Sequence, residues 1–409
     1  MSWLSQRAPE IRQYMIVTGN YWAFTLTDGA LRMLVVLHFH GLGYSPLAIA
    51  LLFIFYEIFG VITNLLGGWL GARIGLNKTM NVGLFLQIMA LAMLLVPASL
   101  LTVPWVMAAQ GLSGVAKDLN KMSAKSAIKL LVPSDAGGQL YRWVAILTGS
   151  KNALKGAGFF LGGVLLTWLA FAGAVLAMAL LLALVWVFSL IGLKKDLGKA
   201  KSKPKFTDIF SKSRAINYLS AARMFLFGSR DVWFVVALPV YLASTFGWDH
   251  WSVGGFLALW VIGYGFIQGV APKITNAGAL PGGQQAFTWA IMLSVIPALI
   301  ALALAYQWHP VGSLLLGLMV FGAFFAINSS LHSYLIVSYA SEDSVSLDVG
   351  FYYMANALGR LFGTVLSGWL YQAHGLVACL WVSAGFIAVA ALISLGLPKR
   401  PVQAPEQSA

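Results

Sequence analysis

Eight basic side chains sit at least five residues inside stretches that otherwise read as membrane-spanning helix: Arg32, Lys117, Lys121, Lys151, Lys155, Arg223, Arg230 and Arg360. Four acids lie equally deep in them, Asp28, Glu57, Asp118 and Asp231. A Lys or Arg at the centre of a membrane helix costs about 2.5 to 3.5 kcal/mol, so each needs a partner. Four carboxylates neutralise at most four cations. The surplus calls for an anion, unless buried lysines give up their protons. The chemistry this pattern suits is the binding of a small anionic substrate.

The elements that must hold these residues follow from composition. The chain has 409 residues, of which 59% are hydrophobic and only 10% charged, with a formal net charge of +13. Repeated apolar runs of about 20 residues make it a polytopic helical membrane protein, because backbone polar groups in hydrocarbon must be satisfied within the span. The first residues carry Arg7, Glu10 and Arg12 and lack the short apolar core of a cleaved leader, so the first span is expected to remain. Cys379 is the only cysteine, which excludes an intrachain disulfide and a thiolate pair for a soft metal. A His38-x-His40 pair does not share a helix face and makes a poor metal site, and no cofactor is implied.

Twelve spans are expected, at 15–38, 47–71, 80–100, 104–126, 143–168, 171–193, 216–243, 251–272, 285–306, 311–336, 347–371 and 376–397. With the N-terminus in the cytoplasm, Arg73, Lys78, Lys129, Arg142, the 194–214 segment, Lys273, Lys399 and Arg400 all fall inside. The opposite loops then carry no Lys or Arg, which places both termini in the cytoplasm. The organisation read from this is a six-helix half at 1–193, a basic cytoplasmic linker at 194–215, a second six-helix half at 216–398 and a cytoplasmic tail at 399–409. The linker reads as a solvated segment beside anionic lipid headgroups rather than a nucleic-acid site, since it lacks interleaved aromatics.

The halves are related. An offset of about 204 residues brings Gly43 onto Gly247, Ala50 onto Gly254, and Asn152-Ala153-Leu154 onto Asn356-Ala357-Leu358, with Asp28 within one residue of Asp231. Between spans two and three, Gly68, Arg73, Gly75 and Lys78 match the loop signature of the major facilitator superfamily. Ala72 stands where that signature has an acid. The resemblance implies an all-α membrane fold of twelve helices in two six-helix repeats, in which the third helix of each three-helix unit packs at the periphery. Spans three, six, nine and twelve indeed carry no Asp, Glu, Lys or Arg.

At a rise of about 1.5 Å per residue, Asp28, Lys155, Arg230 and Arg360 fall near the midplane of their spans. Lys121, Lys125 and Lys129 follow Lys117 at i+4 steps on one drifting face, with the deep end facing a pocket and Lys125 and Lys129 reaching for the headgroups. Asp28 and Arg32 share a face and can pair. Lys117 with Asp118, and Arg230 with Asp231, are sequence neighbours pointing about 100° apart, better placed to pair across helices. Asn152 and Asn356 can orient substrate hydroxyl or carboxyl groups, although bonding between helices is the commoner use. The substrate-binding candidates are therefore Lys117, Lys121, Lys151, Lys155, Arg230, Arg360, Arg32, Asn152 and Asn356. The candidates for ion coupling are Asp28, Asp231, Glu57 and Asp118.

Three stretches carry a narrower resemblance: Asn20 to Arg32, Ala116 to Lys125 and Ser229 to Pro239. They resemble the ArsJ-type organoarsenical efflux permeases of bacterial arsenic-resistance operons, over nearly the whole chain. The resemblance implies a bacterial inner-membrane transporter that exports 1-arseno-3-phosphoglycerate, the product formed when glyceraldehyde-3-phosphate dehydrogenase uses arsenate in place of phosphate. The residues fit such a cargo, since a triose bearing a phosphate and an acyl arsenate needs several Arg or Lys donors and no thiolate. The same cations would serve another organophosphate or carboxylate, or a passive anion channel. An enzyme is disfavoured by the absence of a Gly-x-Ser-x-Gly, His-Glu-x-x-His or phosphate-loop pattern.

Overall fold

The structure, a computed structural model, describes residues 8–43, 52–132, 137–193, 197, 213–248, 250–275, 281–341 and 344–398. The basic linker, save Leu197 and the residues from 213 onward, and the tail from 399 lie outside the described residues. Among the described residues every long element is an α-helix and there is no strand. In chain order these are α1 (Ala8–Gly41), α2 (Ile54–Ile74), α3 (Leu76–Met93), α4 (Val103–Leu131), α5 (Gly137–Gly192), α6 (Arg214–Phe234), α7 (Ala237–Phe246), α8 (His250–Ile274), α9 (Gly283–Ala305), α10 (Pro310–Tyr339) and α11 (Val345–Ser394).

Six helical stretches among them are long and apolar enough to cross a membrane. The 23 residues of α9 reach about 34 Å, which suffices for a hydrocarbon layer of about 30 Å. Two of the six are double crossings. α5 breaks at Ala170 (φ 55°, ψ −178°) and α11 at Gly375 (φ 74°, ψ −175°), so each holds two helical arms joined by one left-handed residue.

These turns carry the internal repeat into the backbone. Gly375 follows Ala170 by 205 residues, and the left-handed Gly247 (φ 68°) follows the left-handed Gly43 (φ 86°) by 204. Positive φ is easy for glycine and costly for Ala170, so matched positive-φ positions are a constraint shared by the two halves.

The chain forms two compact units. Unit 1 comprises 1–133, 150–210 and 340–354; unit 2 comprises 134–149, 211–339 and 355–409. Each has its own apolar core. In unit 1 it is built around Phe24, Leu34, Leu84, Val106 and Leu182. In unit 2 it is built around Trp233, Trp260, Phe321, Phe325 and Ile387. The usual order of a soluble protein is inverted, since Ile191 is 81% exposed while Asp231 is fully buried. Apolar outside and charged inside is the arrangement hydrocarbon solvent dictates.

Two crossings within the units depend on glycine. In unit 1 the start of α11 lies on α2, where a Cβ built at Gly68 would come 2.5 Å from the Ser346 carbonyl oxygen and 3.1 Å from Gly350 Cα. In unit 2 the start of α5 lies on α8, where a Cβ at Gly149 would come 2.5 Å from the Gly265 oxygen and 2.6 Å from the Gly269 nitrogen. Only glycine permits such backbone contact.

Candidate functional site

The buried and half-buried charges form one cluster in each unit. In unit 1, α1 contributes Asp28 and Arg32, α2 contributes Tyr56 and Glu57, and α4 contributes Lys117, Asp118, Lys121 and Lys125. Arg32 Nη2 lies 3.5 Å from Glu57 Oε1. The ion pair of Arg32 thus crosses to α2 rather than running along α1 to Asp28 as the spacing suggested. Asp28 instead accepts a hydrogen bond from the Tyr56 hydroxyl, 2.8 Å from Oδ1 and 3.0 Å from Oδ2.

Asp118 is 1% exposed and gathers two lysines. Lys121 Nζ is 2.5 Å from its Oδ1 and Lys117 Nζ 3.7 Å from its Oδ2. Neighbouring residues therefore do pair here. The long, flexible Lys side chain curls back to the adjacent carboxylate, which is itself buried and needs a compensating charge.

Aromatic rings also face these cations. Lys117 Nζ lies 3.7 Å from the Tyr56 ring centroid and Arg32 Cζ 4.5 Å from it. Lys121 and Lys125 lie 4.7 and 5.0 Å from the ring of Tyr353, at the start of α11. Lys125 was expected at the headgroups. It is 3% exposed, held inside unit 1 because a ring face solvates an ammonium well enough to replace water.

Lys151, Asn152 and Lys155 are half-buried on α5 in unit 1. A Cβ at Gly29 would meet the Lys155 carbonyl oxygen at 2.8 Å and one at Gly158 the Leu26 oxygen at 2.6 Å, so α5 runs directly against α1 beside Asp28.

In unit 2 the centre is Asp231 on α6, fully buried. Arg230 reaches its Oδ1 through Nε at 2.7 Å and Nη2 at 2.5 Å. Arg360 of α11 donates from Nε to Oδ2 at 3.0 Å. One carboxylate faces two guanidiniums, and again a sequence neighbour supplies one of them. About two turns away on α6, Arg223 is 3% exposed; its Nε donates to Asn356 Oδ1 at 2.9 Å and its Nη1 lies 3.3 Å from both oxygens of Ser329. Asn356 is thus engaged with Arg223, and Gln268 donates to the Ser329 hydroxyl at 3.0 Å.

Sequence reading missed Tyr56 and Tyr353, which count as packing until their rings are seen under cations. It also passed over His332 on α10. That side chain is 1% exposed, and neither ring nitrogen has a hydrogen-bond partner among the described residues. A charged residue next to Tyr56 and a histidine in a polar patch, Asn328 to Ser333, of a long helix were the available signals.

The loop after α2 departs from the signature as the sequence indicated. Ala72 is 2% exposed where an acid is usual, and Arg73 rests over the Trp69 ring at 5.0 Å. The contact with α11 is made instead by the small faces of Gly68, Ser346 and Gly350.

No curated protein matches the sequence. Solved structures do. The human organic anion transporter MFSD10 aligns over 94% of this chain and 99% of its own, with a TM-score of 0.75 at 18% identity. A bacterial homologue of the iron transporter ferroportin, in an outward-facing state, aligns over 93% and 98%, with a TM-score of 0.73 at 14% identity. The proton:xylose symporter XylE aligns over 94% and 95%, with a TM-score of 0.69 at 14% identity. At these identities the likeness is one of fold. The sequence profile of the Major Facilitator Superfamily matches residues 16–281 and 285–409. With a helical fold, crossings of membrane length and buried charge in both units, the chain is a multi-pass membrane transporter that belongs to the Major Facilitator Superfamily.

Proposed function

We propose that this transporter exports a small, multiply charged organic anion, 1-arseno-3-phosphoglycerate, across a bacterial inner membrane as one half of an arsenate detoxification route. The observation that carries the reading is the charge imbalance around the buried carboxylates. Arg230 and Arg360 share Asp231 while Arg223 is buried close by, and Lys117 and Lys121 share Asp118. Each cluster keeps positive charge after its carboxylates are counted, which in a low-dielectric interior favours a polyanionic guest. Arg230, Arg360, Arg32, Lys117, Lys121, Lys151 and Lys155 are the proposed anion contacts, with Asn152 and Asn356 orienting them or the cargo. MFSD10, of the same fold, is described as an organic anion transporter, the cargo class these cations suit. The narrower resemblance in α1, α4 and α6 supplies the arsenical and the efflux direction. An inside-negative potential favours outward movement of an anion by about 2.3 kcal/mol per charge per 100 mV.

The test is genetic. Bacteria lacking their other arsenic pumps are expected to gain arsenate tolerance from this chain only when an arsenate-using glyceraldehyde-3-phosphate dehydrogenase is expressed with it. Tolerance without the dehydrogenase would assign an inorganic oxyanion instead, and no tolerance in either case would remove the arsenical.

A further inference from the structure

The cluster of unit 1 is joined by a ring rather than by an ion pair. Tyr56 is 2% exposed. Its hydroxyl bonds to Asp28, and its π face holds Lys117 at 3.7 Å and Arg32 at 4.5 Å. One side chain therefore touches a candidate for proton coupling and two candidates for anion binding.

The three carboxylates of this cluster are not equivalent. Glu57 faces Arg32, and Asp118 faces Lys117 and Lys121. Asp28 takes its hydrogen bond from a neutral phenol. A carboxylate opposite a cation resists a proton, whereas one stabilised by a neutral donor accepts it more readily. Asp28 is thus the member of the set whose hydrogen bond comes from a neutral donor. The other ionisable groups around it are Tyr21 and Arg32 on α1, Glu57 on α2, Lys117, Asp118 and Lys121 on α4, Lys155 on α5 and Tyr353 on α11.

A phenol that donates to a carboxylate gains electron density, which deepens the negative face of its ring and strengthens its hold on a cation. Protonating Asp28 withdraws that charge. The ring then holds Lys117 and Arg32 less firmly, and the cluster becomes more positive by one charge. Both changes favour an anion. We infer that Tyr56 is a positioning residue that couples protonation of Asp28 to the availability of Lys117 and Arg32 for the anion. By linkage, an anion bound at these cations favours the proton on Asp28 by the same factor. This rests on the anion-transport reading above.

The probe is 3-phosphoglycerate, a stable relative of the proposed cargo, titrated calorimetrically into the full-length purified protein at about pH 6 and about pH 8. The ligand's own ionisation is common to all variants and cancels between them. Wild type should bind at least about fivefold tighter at the lower pH, the lower end of ordinary couplings between sites. Tyr56→Phe keeps the ring and removes the hydroxyl, so binding should persist with that ratio flattened. Asp28→Asn should bind with the low-pH affinity at both values. A Tyr56→Phe protein with the wild-type ratio would overturn the inference. Should wild type bind no 3-phosphoglycerate, the cargo reading fails by itself, and the ligand-free protein decides the relay. Melting temperatures of Asp28→Asn, Tyr56→Phe and the double variant should show coupling at pH 8 that fades at pH 5. Additive effects at both pH values would overturn it.

Discussion

Arg360 donates to Asp231 through a single nitrogen at 3.0 Å, while Arg230 grips the other oxygen of the same carboxylate with two. The side chain of Arg360 is also the more exposed, 31% against 16%. Arg230 is therefore the closer partner of Asp231, and Arg360 the more accessible of the two guanidiniums.

Arg360→Gln should reduce transport and apparent affinity by roughly 2 to 5 kcal/mol where its contact with the anion is fully desolvated, with little change in melting temperature. Arg230→Gln should lower the melting temperature as well, because it strips the buried carboxylate of its two-pronged partner. Lys155→Gln should follow Arg360→Gln, and Lys203→Gln in the basic linker should leave transport unchanged. Flux into vesicles and thermal unfolding in detergent measure the two effects separately. Normal flux in Arg360→Gln, Arg230→Gln and Lys155→Gln together would dismiss these cations as substrate contacts.

The architecture was legible because hydrocarbon allows so few alternatives. Apolar runs between one-sided loop charges located the helices, and residues separated by about 204 positions announced the repeat that Ala170 and Gly375 now show in their backbones. The charges were legible too, since Asp28, Asp118 and Asp231 stand out in any apolar span. Their pairing was not. Sequence spacing allows Asp28 to pair with Arg32 and points Arg230 away from Asp231, but a long, flexible side chain bends to whichever carboxylate lies within reach, on its own helix or another. Tyr56 was invisible for a different reason. Nothing in a sequence separates a tyrosine that packs from one whose ring carries a lysine.

The paired turns make a stability prediction. Ala170 holds φ at 55°, where a Cβ is disfavoured, and its counterpart Gly375 holds φ at 74° with none. Ala170→Gly should raise the melting temperature, since left-handed backbone costs a non-glycine residue about 1 to 2 kcal/mol. Gly375→Ala should lower it by a comparable amount. A Cβ at Gly375 would meet nothing within 4 Å, so the loss would report backbone strain and not a clash.

His332 gives a second. A buried polar group without a hydrogen bond costs about 1 to 3 kcal/mol, and both nitrogens of this ring are in that position among the described residues. The charge that acts on it is Arg223 of α6; Tyr264 and Lys273 are the ionisable groups described on α8, and α9 carries none. His332→Leu should therefore raise the melting temperature in detergent. A rise together with lost flux would mean that the ring is kept for transport at the expense of stability. A fall would mean that its nitrogens are bonded after all.

Orientation follows from charge alone and can be tested without a substrate. Every Lys and Arg outside the spans lies in alternate loops or at the ends, from Arg73 and Lys78 through Lys129, Arg142 and Lys273 to Lys399 and Arg400, with the basic linker among them. Basic residues near span ends are retained on the cytoplasmic side. Reporter fusions after Lys201 and after Ala404 should therefore be active only as cytoplasmic reporters, and fusions near Gly43 or Asp249 only as external ones. The positions of Lys201, Asp249 and Ala404 fall outside the described residues, so the experiment draws on the loop charges independently of the coordinates. An external reporter active after Lys201 would require an odd number of crossings before the linker, and with it a different pairing of the two repeats.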